Sequence, residues 1–209
     1  TYHYEEKLSV VAGLRGDWYN RDKFRVSPRL TARYTPLEQL VLRLNAGRGL
    51  RYASTFADNI GVLSTSKPFL DNGKMSPGMS YMSHPLEDAW VAGGNATVYL
   101  PFGCGDNSTY ISFDYFRTQF VRQLVVDYEH YNNSIDFYML NGQSFTDTYQ
   151  LDFSVEPIER FTITTTFRYT NAKLTMADRG LVERPMTSRY KGVLNLQYAT
   201  NLNKWIFDF

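Results

Sequence analysis

Met75, Met79, Met82 and His84 fall within ten residues of one another, and thioether and imidazole donors at that spacing suit a soft ion such as copper or a haem iron. Methionines in a polar loop also serve simply to pack it, so a metal role and a packing role both stand at this point. His130 would either join such a site or be solvated. Cys104 is the single cysteine; it forms no internal disulfide, has no His beside it, and reads as an inert thiol in a Gly-Cys-Gly turn. No Gly-x-Ser-x-Gly elbow, His-Glu-x-x-His pair or phosphate-cradling glycine loop occurs, so the sequence predicts no enzyme and calls for no cofactor. Asn95-Ala96-Thr97, Asn107-Ser108-Thr109 and Asn132-Asn133-Ser134 spell glycosylation acceptors and nothing more; the first falls in an expected strand.

The elements that would carry these residues are strands. Aromatic residues make up 16% of the chain, with 16 Tyr and 14 Phe, yet the mean hydropathy is only -0.38. Strands with rings on one face and polar groups on the other give that combination. A net charge of +1 without a basic run argues against a nucleic-acid partner. No stretch is apolar for the ~18 residues that a spanning helix needs, and the opening Thr-Tyr-His-Tyr reads as a mature or excised segment starting in mid-strand.

Alternation with period two is clearest where Phe161, Ile163, Thr165, Phe167 and Tyr169 face away from Arg160, Thr162, Thr164, Arg168 and Thr170. It recurs over 145–156, 26–34, 40–46 and 190–198, and less cleanly over about 6–19 and 89–100. Soluble sandwiches alternate too. Here, however, most segments run ~10–16 residues, enough to cross a bilayer at a tilt. Trp18, Tyr19, Tyr34, Tyr169, Tyr198 and Trp205 also gather near segment ends, as in the aromatic girdles of membrane barrels. Short connections at 35–39, 103–107, 156–159 and 200–203 alternate with longer ones at about 20–25, 50–86, 128–144 and 175–188, the rhythm of periplasmic turns and extracellular loops. The expectation is an all-β, antiparallel, up-and-down transmembrane β-barrel segment of about 8–9 strands. Its inward face would carry Arg29, Arg33, Arg43, Arg160, Arg168, Lys191, Asp152 and Glu156, a polar set that suits a wide barrel rather than a small filled one. Phe209 also matches the terminal aromatic of whole barrels, so a native C-terminus is a second reading.

In order along the chain, Ser27-Pro28-Arg29-Leu30 to Tyr34-Thr35-Pro36, Leu40-Val41-Leu42-Arg43, Gly47-Arg48-Gly49-Leu50-Arg51, Phe56-Ala57-Asp58-Asn59-Ile60-Gly61 and Pro85-Leu86-Glu87-Asp88-Ala89-Trp90 resemble the TonB-dependent outer-membrane receptors of Bacteroides-like bacteria. Asp114-Tyr115-Phe116-Arg117-Thr118-Gln119-Phe120 with Val125-Val126-Asp127, then Phe167-Arg168-Tyr169, Glu183-Arg184-Pro185 and Lys204-Trp205-Ile206-Phe207-Asp208-Phe209, continue the series. The resemblance implies that residues 1–209 are part of a barrel of probably 22 strands, with the plug domain absent from this stretch. It further implies a bacterial outer-membrane location and active import of a scarce nutrient such as a siderophore, haem, cobalamin, metal or glycan. The partners it implies are outer-membrane lipid, the plug of the same polypeptide, TonB through that plug, an unidentified nutrient ligand, and room for a surface lipoprotein. Tyr52, Phe56, Asp58 and Asn59 sit where the resembling receptors have a partly helical loop over the mouth, and become candidate ligand contacts, against the alternative of a loop packed on itself. A passive porin or adhesin barrel, a soluble β-sandwich binding module and an outer-membrane hydrolase are the rival readings.

Overall fold

The computed structural model describes residues 2–4, 7–19, 23–71, 85–104, 109–131 and 133–209. Its strands are β1 (Tyr2–Tyr4), β2 (Leu8–Tyr19), β3 (Lys23–Leu37), β4 (Leu40–Tyr52), β5 (Phe69–Asp71), β6 (Leu86–Leu100), β7 (Thr109–Arg122), β8 (Leu124–Tyr131), β9 (Ser134–Met139), β10 (Ser144–Ile158), β11 (Phe161–Met176), β12 (Gly180–Glu183), β13 (Tyr190–Ala199) and β14 (Ile206–Asp208). One antiparallel sheet runs β1-β2-β3-β4-β6-β7-β10-β11-β13-β14, with β12 on the far end of β11. Chain neighbours are sheet neighbours once β5, β8, β9 and β12 are set aside as parts of connections. The up-and-down segment expected from the alternation is therefore present, with eight long strands and the start of a ninth.

Register makes the two faces legible as rows. Val10, Ala32, Leu44, Gly94, Tyr115, Tyr149, Tyr169 and Tyr190 are successive partners across eight strands. One residue over, Ser9, Arg33, Arg43, Asn95, Asp114, Gln150, Arg168 and Lys191 form the matching row of the other face. The first row is uncharged throughout and the second polar throughout, so a slip of one residue would exchange them and is strongly disfavoured. Polar groups of the second row bond along it: Arg43 Nη1 donates to Asn95 Oδ1 at 3.0 Å, Asn95 Nδ2 to Asp114 Oδ1 at 2.9 Å, and Arg168 Nε to Gln150 Oε1 at 2.8 Å.

The apolar face exposes large side chains to its surroundings, among them Leu14, Trp18, Leu44, Phe113, Leu151, Phe167 and Leu194. Four of its rings stand side by side, with centroids 4.9 Å apart for Tyr115–Tyr149, 6.0 Å for Tyr149–Tyr169 and 5.3 Å for Tyr169–Tyr190. From Tyr190 down to Tyr198 the apolar face carries Leu194 and Leu196, and the partners in that span include Phe113, Leu151, Phe153, Ile163 and Phe167, with no charge. The eight steps from Tyr190 to Tyr198 rise about 26 Å along a strand, or roughly 20 Å across a membrane at a ~40° tilt, close to the apolar band of transmembrane β-barrels. Charge returns to this face one row above the tyrosines, where Arg117 pairs with Asp147 at 3.3 Å.

Tight turns close the opposite end. Leu37 pairs with Leu40 across Glu38-Gln39, and Ile158 with Phe161 across Glu159-Arg160. Both hairpins shift register just before the turn, at Tyr34/Leu37 and Val155/Ile158, and a proline, Pro36 or Pro157, sits inside each shift. Proline has no N–H for the ladder, so a bulge is where it does least harm. Arg160 takes a left-handed backbone (φ 69°), and its N–H donates to Glu156 Oε1 at 2.6 Å.

Several expectations are corrected here. Arg160 and Glu156 belong to this turn and its bulge rather than to the polar wall, because the bulge takes them out of the alternating ladder. The connection expected at about 20–25 shrinks to residues 20–22, since Trp18 pairs with Phe24 and Tyr19 with Lys23. The first long strand begins at Leu8 rather than near residue 6, and a separate strand, β1, precedes it.

These faces make a prediction. Leu151→Arg puts a cation on the apolar face below the tyrosine row and costs about 2–4 kcal/mol of folding stability in a bilayer, whereas Thr162→Arg on the polar face costs little. Urea titration of the full-length protein refolded into vesicles measures the difference; equal midpoints would mean the faces are misassigned.

Candidate functional site

Above the tyrosine row the alternation continues on β7 and β11 but its polarity inverts. On β11 the face that carried Phe161, Ile163, Phe167 and Tyr169 continues as Asn171, Lys173 and Thr175, while the face that carried Thr166, Arg168 and Thr170 continues as Ala172, Leu174 and Met176. All three of the latter are buried. On β7, Phe113 and Tyr115 give way to Arg117 and Gln119 on the apolar face, while Asp114 gives way to Phe116 and Phe120 on the other. Side chains there meet water on the outside and protein on the inside.

The covering protein is the β8–β9 hairpin, whose backbone pairs with β5 as a second, three-stranded sheet. Both faces of β8 are used. Val125 packs on Leu174 and Met176 with Tyr138, Leu140 and Val182 around them. Leu124 and Val126 pack with Phe56 and Phe69 against Val62, Ile135 and Phe137. The Phe56, Phe69 and Phe137 rings meet at centroid distances of 5.6 to 6.0 Å, contacts worth about 1 kcal/mol each beyond their burial. The connection at 128–144, expected as a loop, is thus largely a folded hairpin, and β12 shortens the one expected at 175–188. Glu87 anchors the cap to the sheet, taking Arg51 Nε on one oxygen at 2.7 Å and the Leu124 amide on the other at 3.1 Å, while Ala53 N, donating to Pro85 O at 2.9 Å, prolongs the β4–β6 ladder beyond Tyr52 and Leu86.

Between the hairpin, the end of β11 and the β12–β13 loop lies a cavity of about 370 Å³, lined by Asn59, Gln123 to Glu129, Leu174, Met176, Arg179 and Arg184 to Met186. Its floor is apolar. Its wall holds a charge network centred on Asp127, which is 1% exposed. One Asp127 oxygen accepts from the Glu129 amide at 2.9 Å and Arg179 Nη2 at 3.2 Å, and the other from Tyr138 Oη at 3.3 Å. Arg179 also bonds Glu129. That hydrogen bond, with the Asp127 and Glu129 charges, raises the Arg179 pKa above its ordinary value. Burial pushes the Tyr138 hydroxyl up, so it stays a donor.

The four candidate contacts from the sequence divide. Tyr52 ends β4 opposite Leu86. Phe56 is spent on the ring cluster, and Asp58 pairs with Arg51 at 3.3 Å while accepting the Ser54 amide. Asn59 alone reaches the cavity; its Nδ2 bonds Thr55 O at 3.0 Å. The partly helical character expected of this loop amounts to a 3-10 turn over Ile60–Ser64. Met75, Met79, Met82 and His84 lie outside the described residues. Cys104 is exposed at the turn end, its thiol 3.6 Å from the Pro157 carbonyl. Sequence reasoning missed Asp127, Tyr138, Arg179 and Met186 as site residues. The run Leu124-Val125-Val126 was the available signal, since a strand apolar on consecutive residues is covered on both sides.

The described residues thus form a sheet of long two-faced strands with tight turns at one end and a folded cap at the other. The family described as TonB dependent receptor-like, beta-barrel, matches residues 1–207. The chain belongs to that family. No curated protein matches it. Among solved structures it is similar to the siderophore receptor PirA from Pseudomonas aeruginosa, at 14% identity and a TM-score of 0.55, over 95% of this chain and 40% of that one. The likeness shows a shared fold, and the chain spans about 40% of that receptor's length. The TonB-dependent receptor fold expected from the ordered motifs is therefore the fold present, without support for a Bacteroides-type subgroup in particular.

Arg179→Met leaves the Asp127 carboxylate buried without its cation and loosens the cap by about 1–3 kcal/mol. Limited proteolysis of the full-length protein would show faster cleavage within residues 123–143 while its heat-modifiable mobility is unchanged. Unaltered protection would mean that the network does not hold the hairpin.

Proposed function

We propose that this chain is wall and mouth of a TonB-dependent active-transport receptor in the bacterial outer membrane, with residues 1–209 part of its barrel domain. The family match over residues 1–207 carries the reading. On it, the uncharged rows face lipid, the polar row from Ser9 to Lys191 faces a plug domain elsewhere in the same polypeptide, and TonB acts through that plug rather than on this segment. A scarce nutrient is captured at the cap and imported when the plug is pulled; the similar solved structure is that of a siderophore receptor, which makes an iron chelate one nutrient class to try first. Asn59 is the candidate contact from the 52–59 segment, with Tyr52, Phe56 and Asp58 shaping the loop that presents it. The Met75, Met79, Met82 and His84 stretch remains a candidate soft-metal contact, and a surface lipoprotein a candidate lid. No step of this scheme is catalytic.

Full-length protein from an outer-membrane fraction tests it. Unheated and boiled samples run at different mobilities on a detergent gel if the barrel is closed, and TonB copurifies with the solubilised receptor. A mobility shift without TonB would replace active import by a passive porin or adhesin barrel. A soluble protein with no shift would return the β-sandwich to first place.

A further inference from the structure

The polar face of the sheet satisfies itself unevenly. From β6 to β11 its groups bond one another: Asn95 Nδ2 donates to Asp114 at 2.9 Å, Thr166 Oγ1 to Asp152 at 2.6 Å, and Arg168 to Gln150 at 2.8 Å. On β3 and β4 the same face is different. Arg33 stands directly opposite Arg43 in the ladder, with Ser9 on its other side. Like charges directly opposite destabilise a strand pair. Four residues along β3, roughly 13 Å away, Arg29 lies between Gly13 and Gly47, which give it no side chain to bond. Arg29 and Arg33 are exposed, and neither makes a side-chain hydrogen bond or ion pair among the described residues. The acids of the adjoining strands on this face are engaged elsewhere: Arg15 holds Asp17 at 2.8 Å, and Arg51 holds Glu87 at 2.7 Å. Arg43 reaches Asp114 only through Asn95.

We propose that Arg29, Arg33 and Arg43 form a docking surface for carboxylates on the plug domain. The inference rests on the reading of this chain as barrel wall around a plug, and adds the chemistry of the plug surface that meets β3 and β4. Guanidinium groups donate and never accept, and their fork matches a carboxylate, so an acidic surface is the complement of this patch. The Arg33–Arg43 repulsion is present whenever the wall is folded. A nutrient relieves it only while passing, whereas a domain that fills the lumen relieves it throughout. Length agrees, because the chain spans 40% of the receptor it resembles and the polypeptide that would fill the lumen lies outside it.

Arg29→Lys and Arg33→Lys keep the charge and introduce an amine that a water-soluble carbodiimide joins to a carboxylate only at contact distance. Each variant is made in the full-length receptor, checked by heat-modifiable mobility, treated with the carbodiimide and digested for mass spectrometry. The expected product joins the peptide holding residue 29 or 33 to an Asp or Glu of the plug domain, and is absent from the unsubstituted receptor. Arg33→Gln supplies a second readout whose sign decides. It relieves Arg43 if nothing docks, raising the urea midpoint of full-length protein refolded into vesicles, and lowers that midpoint if it strands a docked carboxylate. The expected shift is downward. No product with plug peptides, products confined to barrel peptides, or a midpoint that rises overturns the proposal. TonB copurification without the crosslink sinks the docking surface alone, and the crosslink without TonB sinks only active import.

Discussion

Everything in this chain depends on where the two faces of its strands exchange roles. A β-strand presents alternate residues to two media, and on β7 and β11 the row that carries Tyr115 and Tyr169 marks the level at which those media change. Below it one side is uncharged and the other hydrogen-bonded; above it the outside takes Arg117, Asp147 and Lys173 while the inside takes Leu174 and Met176. β7 and β11 both keep their ladders with β10 through this level, while β13 leaves β11 at Tyr169 and β12 pairs with it higher up. The sequence simply shifts which parity is apolar, and the same backbone geometry serves a wall with an exposed apolar face and then the foundation of a protein core.

That exchange explains why the well-buried apolar residues lie mostly away from the wall. Val62, Leu70, Val125, Ile135 and Phe137 belong to the connections, and Leu174 and Met176 to the strand end beneath them. On the proposed reading the outer side of the sheet faces lipid and needs no second layer there. A cap projecting into water does, and the β5-β9-β8 sheet builds one from two different connections. Asp127 is tolerated inside because Arg179, Tyr138 and the Glu129 amide satisfy it, a network that also fixes the wall of the cavity.

The wall was legible in the sequence because period-two alternation is a local signal that register then amplifies: Phe161 to Thr170 states its two faces without any knowledge of its neighbours. The tight ends were legible from the turns, and the Thr-Pro-Leu-Glu and Glu-Pro-Ile-Glu stretches prove to carry the same register shift at a proline. Less could be read above the tyrosines. Alternation that persists with inverted polarity looks like alternation that fades, so Ala172, Leu174 and Met176 gave no sign of a core. Asp127 and Arg179 are 52 residues apart and meet only because β8 folds back over β11, a tertiary fact with no periodic trace. Phe56 was read as a candidate ligand contact because an exposed loop aromatic and a buried one look alike until Phe69 and Phe137 are brought beside it.

The sheet is open among the described residues: β1 and β14 are three-residue strands, and most of β2 and β13 has no ladder partner on its outer edge. In water those amides and carbonyls would be solvated at little cost. In hydrocarbon each unmatched group costs several kcal/mol, and a row of them forbids residence there altogether. On the proposed reading, the exposed apolar face enters a bilayer only where the edge strands have found partners, so strand pairing and passage into the membrane go together.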